Sequence, residues 1–404
     1  MTPVLDVLLN DYLVGSITLL PGERSLFAFD DAYVADKNRP VLSQSFLTAS
    51  GDLSLETRAI REKLPPWFSN LLPEGPLRDY LAERGGVGPH REFYLLALLG
   101  QDLPGAVRVR MHGETPSPET VPPKKRTKTA DGALHFSLAG VQLKFSALMN
   151  RKGGLTIPAS GVGGDWIIKL PSATYPAVPE NETAMLRLAE AVGIAVPEHR
   201  LVPIDKIEGL PPLGPFAGKQ ALAVRRFDRL ADGTRVHMED LAQVFGVVPE
   251  EKYKKVGTAQ IVGTIAQVLG QAAAQDFIAR LVFVILTGNG DMHLKNWSLL
   301  YPDGRTPQLT PAYDLVSTVP YIPHDGLALN LVGEKNMHKI TRDRLKRLAE
   351  KAALPERETL ATADRIVEAV REAWPNLRGD FDLPAEILQR IEAHMQSLPL
   401  WQEV

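Results

Sequence analysis

Cysteine is absent from all 404 residues, which excludes disulfides, thiolate metal sites and cysteine nucleophiles. Long apolar runs are missing too. The longest, around Leu281 to Leu286, falls far short of the ~20 residues that span a bilayer, so no membrane association is expected. Neither sign of charge dominates: the net charge of −3 argues against direct nucleic-acid binding across the whole surface. No Gly-x-x-x-x-Gly-Lys-Ser/Thr run occurs, which disfavours a P-loop. Met1 to Gly15 carries Asp6 and Asp11 and no positive region ahead of an apolar core, unlike a signal peptide. A cytoplasmic location is therefore expected.

What remains is an ordinary globular composition, 44% hydrophobic and 23% charged, of a length that suits about two or three domains. Val4 to Leu9 and Tyr12 to Leu19 are β-type runs around the hairpin signal Asn10-Asp11, and Phe27 to Phe29 continues them. Helical pieces are expected at 56–63, 76–84 and 92–99. Residues 111–130 carry four prolines and Lys124-Lys125-Arg126 without apolar periodicity; they read as an exposed linker, with a phosphate-binding patch as the alternative. Strands follow at 134–148, 155–157, 165–170 and 221–227. Helices follow at 181–192, 258–287, 341–352, 356–373 and 384–397.

Residues 288 to 296, Gly-Asn-Gly-Asp-Met-His-Leu-Lys-Asn, carry the most chemistry. Asp291 stands five positions before Asn296, between a long apolar segment and the alternating run Trp297 to Tyr301. Phosphoryl transfer uses such a pair: the Asp accepts the proton of an incoming hydroxyl and the Asn holds Mg²⁺ on nucleotide phosphates. Asp314, in Ala-Tyr-Asp-Leu, is the candidate second metal-binding carboxylate. By itself the run also suits a tight turn, since Gly and Asn tolerate positive φ, and Asp-x-His could be a pair of metal ligands.

Two further segments bear on that choice. In Asp165 to Pro171, alternation puts Trp166, Ile168 and Leu170 on one strand face and Ile167 with Lys169 on the other. A lysine in so apolar a strand is either an edge residue reaching solvent or a cation that needs a partner. Glu182 is a candidate partner, because helical spacing aligns it with Leu186 and Ala189 on an apolar stripe. A strand lysine with a helix glutamate is the pair that kinases use on nucleotide phosphates. Upstream, Phe136 to Lys144 places Gly140 among small residues between strand-like runs; it suits either a phosphate-approaching loop or an ordinary hairpin.

Taken in order, Ser-Leu-Ala-Gly-Val-Gln, Ile-Ile-Lys-Leu-Pro, Asn-Glu, Arg-Phe-Asp-Arg, Gly-Asp-x-His-x-Lys-Asn and Tyr-Asp-Leu closely resemble the HipA family of bacterial serine/threonine kinase toxins. The resemblance covers nearly the whole chain, including Asn70-Leu71-Leu72-Pro73-Glu74; Asp-x-His-x-x-Asn is also similar to phosphoinositide kinases. It implies an α+β, protein-kinase-like bilobal fold with a strand-rich N-lobe, an all-helical C-lobe and a small amino-terminal α/β subdomain. The expected boundaries are 1–110 for that subdomain, 111–130 for the linker, 131–230 for the N-lobe and 231–404 for the C-lobe.

The resemblance further implies ATP and Mg²⁺ as cofactors, with Asp291 as proton acceptor, Lys169 as phosphate-pairing lysine beside Glu182, and Asn296 and Asp314 as metal ligands. Nucleotide contacts are implied for Ala139, Gly140, Val141, Gln142, Leu143 and Lys144, for the hinge Arg225, Arg226 and Phe227, and for His293, Leu294, Lys295, Asn296, Tyr313 and Asp314. Ser137 matches the serine that the family autophosphorylates to switch itself off. The hinge more usually begins with Glu where this chain has Arg225. A protein substrate is implied, aminoacyl-tRNA synthetases being among the family's substrates, and so is a helix-turn-helix antitoxin through which operator DNA is contacted. A small-molecule or lipid kinase on the same scaffold is the alternative.

Overall fold

The computed structural model describes residues 2–56, 58–113, 144–149, 155–156, 164–210 and 216–404. The chain divides into two compact units: one of residues 1–176, 202–239 and 303–305, the other of residues 177–201, 240–302 and 306–404.

The first unit begins with an antiparallel sheet. Val4–Leu9 is flanked by Tyr12–Leu20 and Val107–Met111, and Arg24–Phe29 and Ile60–Arg61 extend the sheet outward. Asn10 makes the expected hairpin with a φ of 52°. Leu5, Val7, Ile17 and Phe27 pack with Trp67, Phe68, Leu95 and Leu96 in its core. Residues 58–63 are not helical, which corrects the expectation of a helix over 56–63: Ile60 pairs with Ser25 and Arg61 with Arg24. Glu62 holds a left-handed φ of 62°, which a helix cannot accommodate, and the helix starts at Pro66–Ser69 instead, with proline in its first turn.

A second sheet has in this unit the strands Ile207–Glu208, Leu155–Thr156, Lys144–Met149, Trp166–Lys169 and Gln220–Arg225, in that order. Trp166–Lys169 is central. Lys169 pairs with Lys144 on one side and Leu222 on the other, so it is not an edge residue reaching solvent. Trp166, Ile168 and Leu170 join Ala221 and Ala223 in the core, as alternation predicts. The expected strand at 221–227 ends at Arg225.

The second unit is mainly helical. Gln271–Thr287 is its centre, packed by Thr258–Leu269, Glu356–Leu377 and Ala385–Ser397; Val178–Ala191 and Arg342–Lys351 pack on Glu356–Leu377. The single helix expected over 258–287 is two, because Gly270, at φ 91° and ψ 173°, ends one and begins the next. Nor is the unit all-helical: Ser298–Tyr301 pairs antiparallel with Gln308–Leu309, as the alternating run after Trp297 requires. Among the described residues, no helix is long and apolar enough to cross a membrane.

Candidate active site

Helix Gln271–Thr287 is apolar almost throughout, and Phe277 to Thr287 is buried without interruption. It stops at Gly288, whose left-handed φ of 68° lets its own N–H reach the Ile285 carbonyl while the Asn289 N–H reaches Val284. The chain thus leaves the core at a fixed angle, and the next residues take their positions from it. Asp291 is exposed, whereas Met292, His293, Leu294, Asn296 and Trp297 are buried. One carboxylate is presented to solvent by a loop anchored on both sides.

Three uncharged side chains anchor it. Asn289, 1% exposed, accepts from the Asp291 N–H at 3.0 Å through Oδ1 and donates to the Asp314 carbonyl at 3.1 Å through Nδ2. One amide therefore sets the spacing of Asp291 and Asp314 backbones that lie 23 residues apart in the chain. Asn296 donates from Nδ2 to the Asp291 carbonyl at 2.9 Å, which turns its own amide oxygen away from that contact. The hydroxyl of Thr318 accepts from the Gly290 N–H at 2.8 Å and lies 3.1 Å from the Gly288 carbonyl and within donating reach of the Asp325 carboxylate. A side chain at position 290 would meet that carboxylate and force it to shift from its place beside Thr318.

The segment carrying Asp314 is held in turn. Asp314 adopts a left-handed φ of 54°, uncommon for a residue with a Cβ, and its carbonyl is taken by Asn289. Asn181, fully buried in helix Val178–Ala191, receives the Ser317 N–H through Oδ1 and donates through Nδ2 to the Ser317 carbonyl and the Tyr321 hydroxyl, at 3.0 to 3.1 Å. The hydroxyl of Tyr313 bonds the Lys295 carbonyl at 2.9 Å and Ser298 at 2.6 Å, and burial pushes it well above the ordinary phenol range. The structure accordingly brings Asp291, His293, Asn296, Tyr313 and Asp314 onto one hydrogen-bonded framework. Asn296 and Asp314 supply an amide oxygen and a carboxylate, the hard oxygen set that Mg²⁺ takes alongside phosphate oxygens. Among the described residues, no group of three or more His, Asp or Glu could hold a metal ion alone.

Lys169 and Glu182 are each buried, 4% and 2% exposed, the lysine in the first unit and the glutamate in the second. At the end of strand Gln220–Arg225, Arg226 donates to Asp165's carbonyl through its backbone N–H. Its guanidinium is engaged at all five donors: bidentate to Asp228 at 2.8 and 2.9 Å, and also to Asp102, Ser146 and the Leu103 carbonyl. Arg229 joins the same two carboxylates. Although burial pushes the Asp228 carboxyl up, the hydrogen bonds and charge of Arg226, with Arg229, hold it below the usual carboxylate range. Arg226 therefore ties the segment after strand Gln220–Arg225 to the 101–105 loop, and its guanidinium is committed to protein partners. Phe227 is half-buried beside it. Ser137 and Ala139 to Leu143 lie outside the described residues, and Lys144 opens the strand Lys144–Met149.

Residues 136–374 match the family described as HipA-like C-terminal domain, and residues 5–110 match HipA N-terminal domain. The chain belongs to the HipA family. It is 49% identical over 99% of its length to "Putative kinase Y4dM" of Sinorhizobium fredii, covering 98% of that protein. To the serine/threonine-protein kinase toxin HipA of Shewanella oneidensis it is 27% identical, over 88% of this chain and 86% of that one. The HipA chain in the solved complex of Shewanella oneidensis HipA, HipB and operator DNA shares the fold, with a TM-score of 0.76 at 24% identity and coverage of 99% and 96%. The HipA membership of this chain makes it a kinase.

Several residues of the framework escape a reading of the sequence. Asn289 hides inside a run that turn chemistry explains equally well, and Thr318 and Asp325 follow no motif. Asn181 is less hidden: it opens the Asn-Glu pair among the family-like motifs, and it sits on the buried side of an amphipathic helix, where an amide needs partners.

Proposed function

We propose that this HipA-family kinase transfers the γ-phosphoryl group of ATP to a serine or threonine hydroxyl of a protein. The observation that carries the reading is the exposed Asp291 carboxylate, on a loop whose backbone is tied through Asn289 to Asp314 and through Asn296 to itself. Asp291 orients the acceptor hydroxyl and takes its proton as the oxygen forms its bond to the γ-phosphorus. The bond from that phosphorus to the bridging oxygen breaks, and ADP leaves. Lys169 contributes the cation that offsets phosphate charge, and Glu182 is assigned to the same machinery. Asn296 and Asp314 would hold Mg²⁺, which supplies charge neutralisation on the phosphates when bound. The hinge Arg225 to Phe227 and the 139–144 loop serve the nucleotide.

The toxin role is supported by the Shewanella relative, a kinase toxin by name, and the proposed helix-turn-helix antitoxin and operator DNA by the solved Shewanella assembly of HipA with HipB and its operator. A cytoplasmic location suits both. Ser137, the match to the serine that the family autophosphorylates, is the proposed site of self-inactivation, where phosphate would add about two negative charges. Mass spectrometry after incubation with Mg-ATP should find phosphate on Ser137; its lasting absence counts against that switch.

The acceptor class is tested by incubating the protein with γ-labelled ATP and cell lysate, then separating macromolecules from small solutes. Label in the protein fraction that is acid-stable and alkali-labile supports serine or threonine transfer. Label confined to lipids or small metabolites would replace the protein acceptor with the other class.

A further inference from the structure

The backbone of Asp291 is fixed from both sides. Its N–H goes to Asn289 Oδ1, and its carbonyl takes both the Asn296 amide at 2.9 Å and the His293 N–H at 2.8 Å. An exposed aspartate nevertheless keeps rotation about its side-chain bonds, and the terminal torsion of Asp is intrinsically broad. A proton acceptor must point one oxygen at the incoming hydroxyl, so that rotation has to be set by something.

Tyr253 stands at the required place. Its hydroxyl donates to Asp291 Oδ1 at 2.6 Å, the length of a charge-assisted bond from a hydroxyl to a carboxylate. The tyrosine comes from a turn 38 residues upstream, and that turn is pinned independently. Lys335 Nζ donates to the Tyr253 carbonyl at 3.2 Å and to the Ala328 carbonyl at 2.7 Å. The phenol ring meets the His293 ring edge-to-face at 5.0 Å, and Lys252 Nζ lies 5.5 Å from the ring centre. A carboxylate offers about four lone-pair sites over two oxygens, so a donor on Oδ1 is compatible with accepting a second hydroxyl.

We propose that Tyr253 is a positioning residue for phosphoryl transfer: its hydroxyl sets the rotation of the Asp291 carboxylate toward the acceptor. This rests on Asp291 being the proton acceptor. It assigns to Tyr253 a part in turnover and none in nucleotide binding. Nothing in the 288–296 run foreshadows it.

The test compares initial rates of transfer from γ-labelled Mg-ATP into the protein of a heat-inactivated lysate. Tyr253→Phe keeps the ring on His293 and under Lys252 and removes the hydroxyl alone. The maximal rate should fall about ten- to hundredfold, the scale of a lost hydrogen bond to a charged group, with the KM for ATP unchanged and the fold retained in circular dichroism. p-Aminophenylalanine installed at position 253 restores a donor at the same place and should recover much of the rate. A Tyr253→Phe rate equal to wild type overturns the proposal; so does a loss accompanied by weaker ATP binding, or phosphate appearing on Tyr253 itself. Asp291→Asn run in parallel separates the two readings. If Asp291→Asn is inactive while Tyr253→Phe is fully active, the positioning role alone fails. If Asp291→Asn transfers normally, or the wild type transfers nothing, both fail.

Discussion

The proposed hinge segment of the first unit and the proposed catalytic loop of the second solve the same problem, holding a short segment still, with opposite chemistry. The hinge is locked by charge: Arg226 and Arg229 converge on Asp102 and Asp228, and all four side chains are buried. The catalytic loop is locked mainly by amides and hydroxyls, with Asn289, Asn296, Asn181 and Thr318 bonding backbone groups. The difference follows from what each segment must do. If Asp291 exchanges a proton as proposed, neutral donors and acceptors fix its backbone while adding few charges beside it, the Asp325 carboxylate next to Gly290 being the exception. The hinge segment exchanges no proton and can tolerate an ion network.

The two kinds of lock should fail differently, and the largest effect belongs to the charged one. Asp228→Ala leaves Arg226 and Arg229 facing each other across Asp102 alone. The expected loss is about 3–5 kcal/mol of stability, read from denaturant midpoints. A loss below about 1 kcal/mol, as for surface ion pairs, would remove the distinction drawn between the regions.

Acid should reach the first unit through His237. Burial lowers its pKa to about 4 from an ordinary value of 6.5, while its Nε2 bonds the Leu42 carbonyl. Between those two values the unfolded chain binds a proton that the folded one refuses. Stability from this group is therefore complete above about pH 6.5 and falls as pH drops toward 4, by about 3 kcal/mol over the whole window. Denaturant midpoints of wild type and His237→Gln at pH 7 and pH 4.5 check it: the variant should lose less stability between the two.

Smaller effects on folding, but a sharp one on turnover, are expected from the neutral lock. Asn289→Ala releases Asp291 and Asp314 together, and a misplacement of about 1 Å can cost about 10²-fold in rate. Its maximal rate should drop on that scale while the fold survives in circular dichroism. Thr318→Val, which removes one hydroxyl from the same loop, should cost about 1 kcal/mol and leave ATP affinity unchanged by calorimetry. If Thr318→Val destabilises as much as Asp228→Ala, the neutral lock carries more of the fold than argued.

The comparison also marks where the sequence is legible. Lys169 can be placed because period-two alternation in a short apolar strand leaves it no other face, and Glu182 because its helix has one apolar stripe. Asp291 and Asn296 lie on one loop, so their spacing alone suggests joint action. Asn289 stands in that loop but resembles any turn asparagine, since its two partners are fixed only when Asp314 folds back. Arg226 reads as a hinge residue, yet Asp102 and Ser146, which engage its guanidinium, come from distant parts of the chain. Tyr253 is of the same kind. Local pattern reports elements and the residues that face inward; contacts across the fold decide which of them hold the chemistry in place. The broken helix at Gly270 shows the limit within a single element, because an isolated glycine is compatible with either a continuing helix or a stop.

The central claim is that Asp291 takes the acceptor's proton during transfer and contributes little to holding the nucleotide. Asp291→Asn preserves shape and removes the base, so the measurement is the rate of γ-phosphate transfer by this variant beside its Mg-ATP affinity. General-base removal predicts a loss of about 10²- to 10⁴-fold in rate with affinity retained. Transfer at the wild-type rate would contradict the account, as would a loss of activity explained entirely by a loss of nucleotide binding.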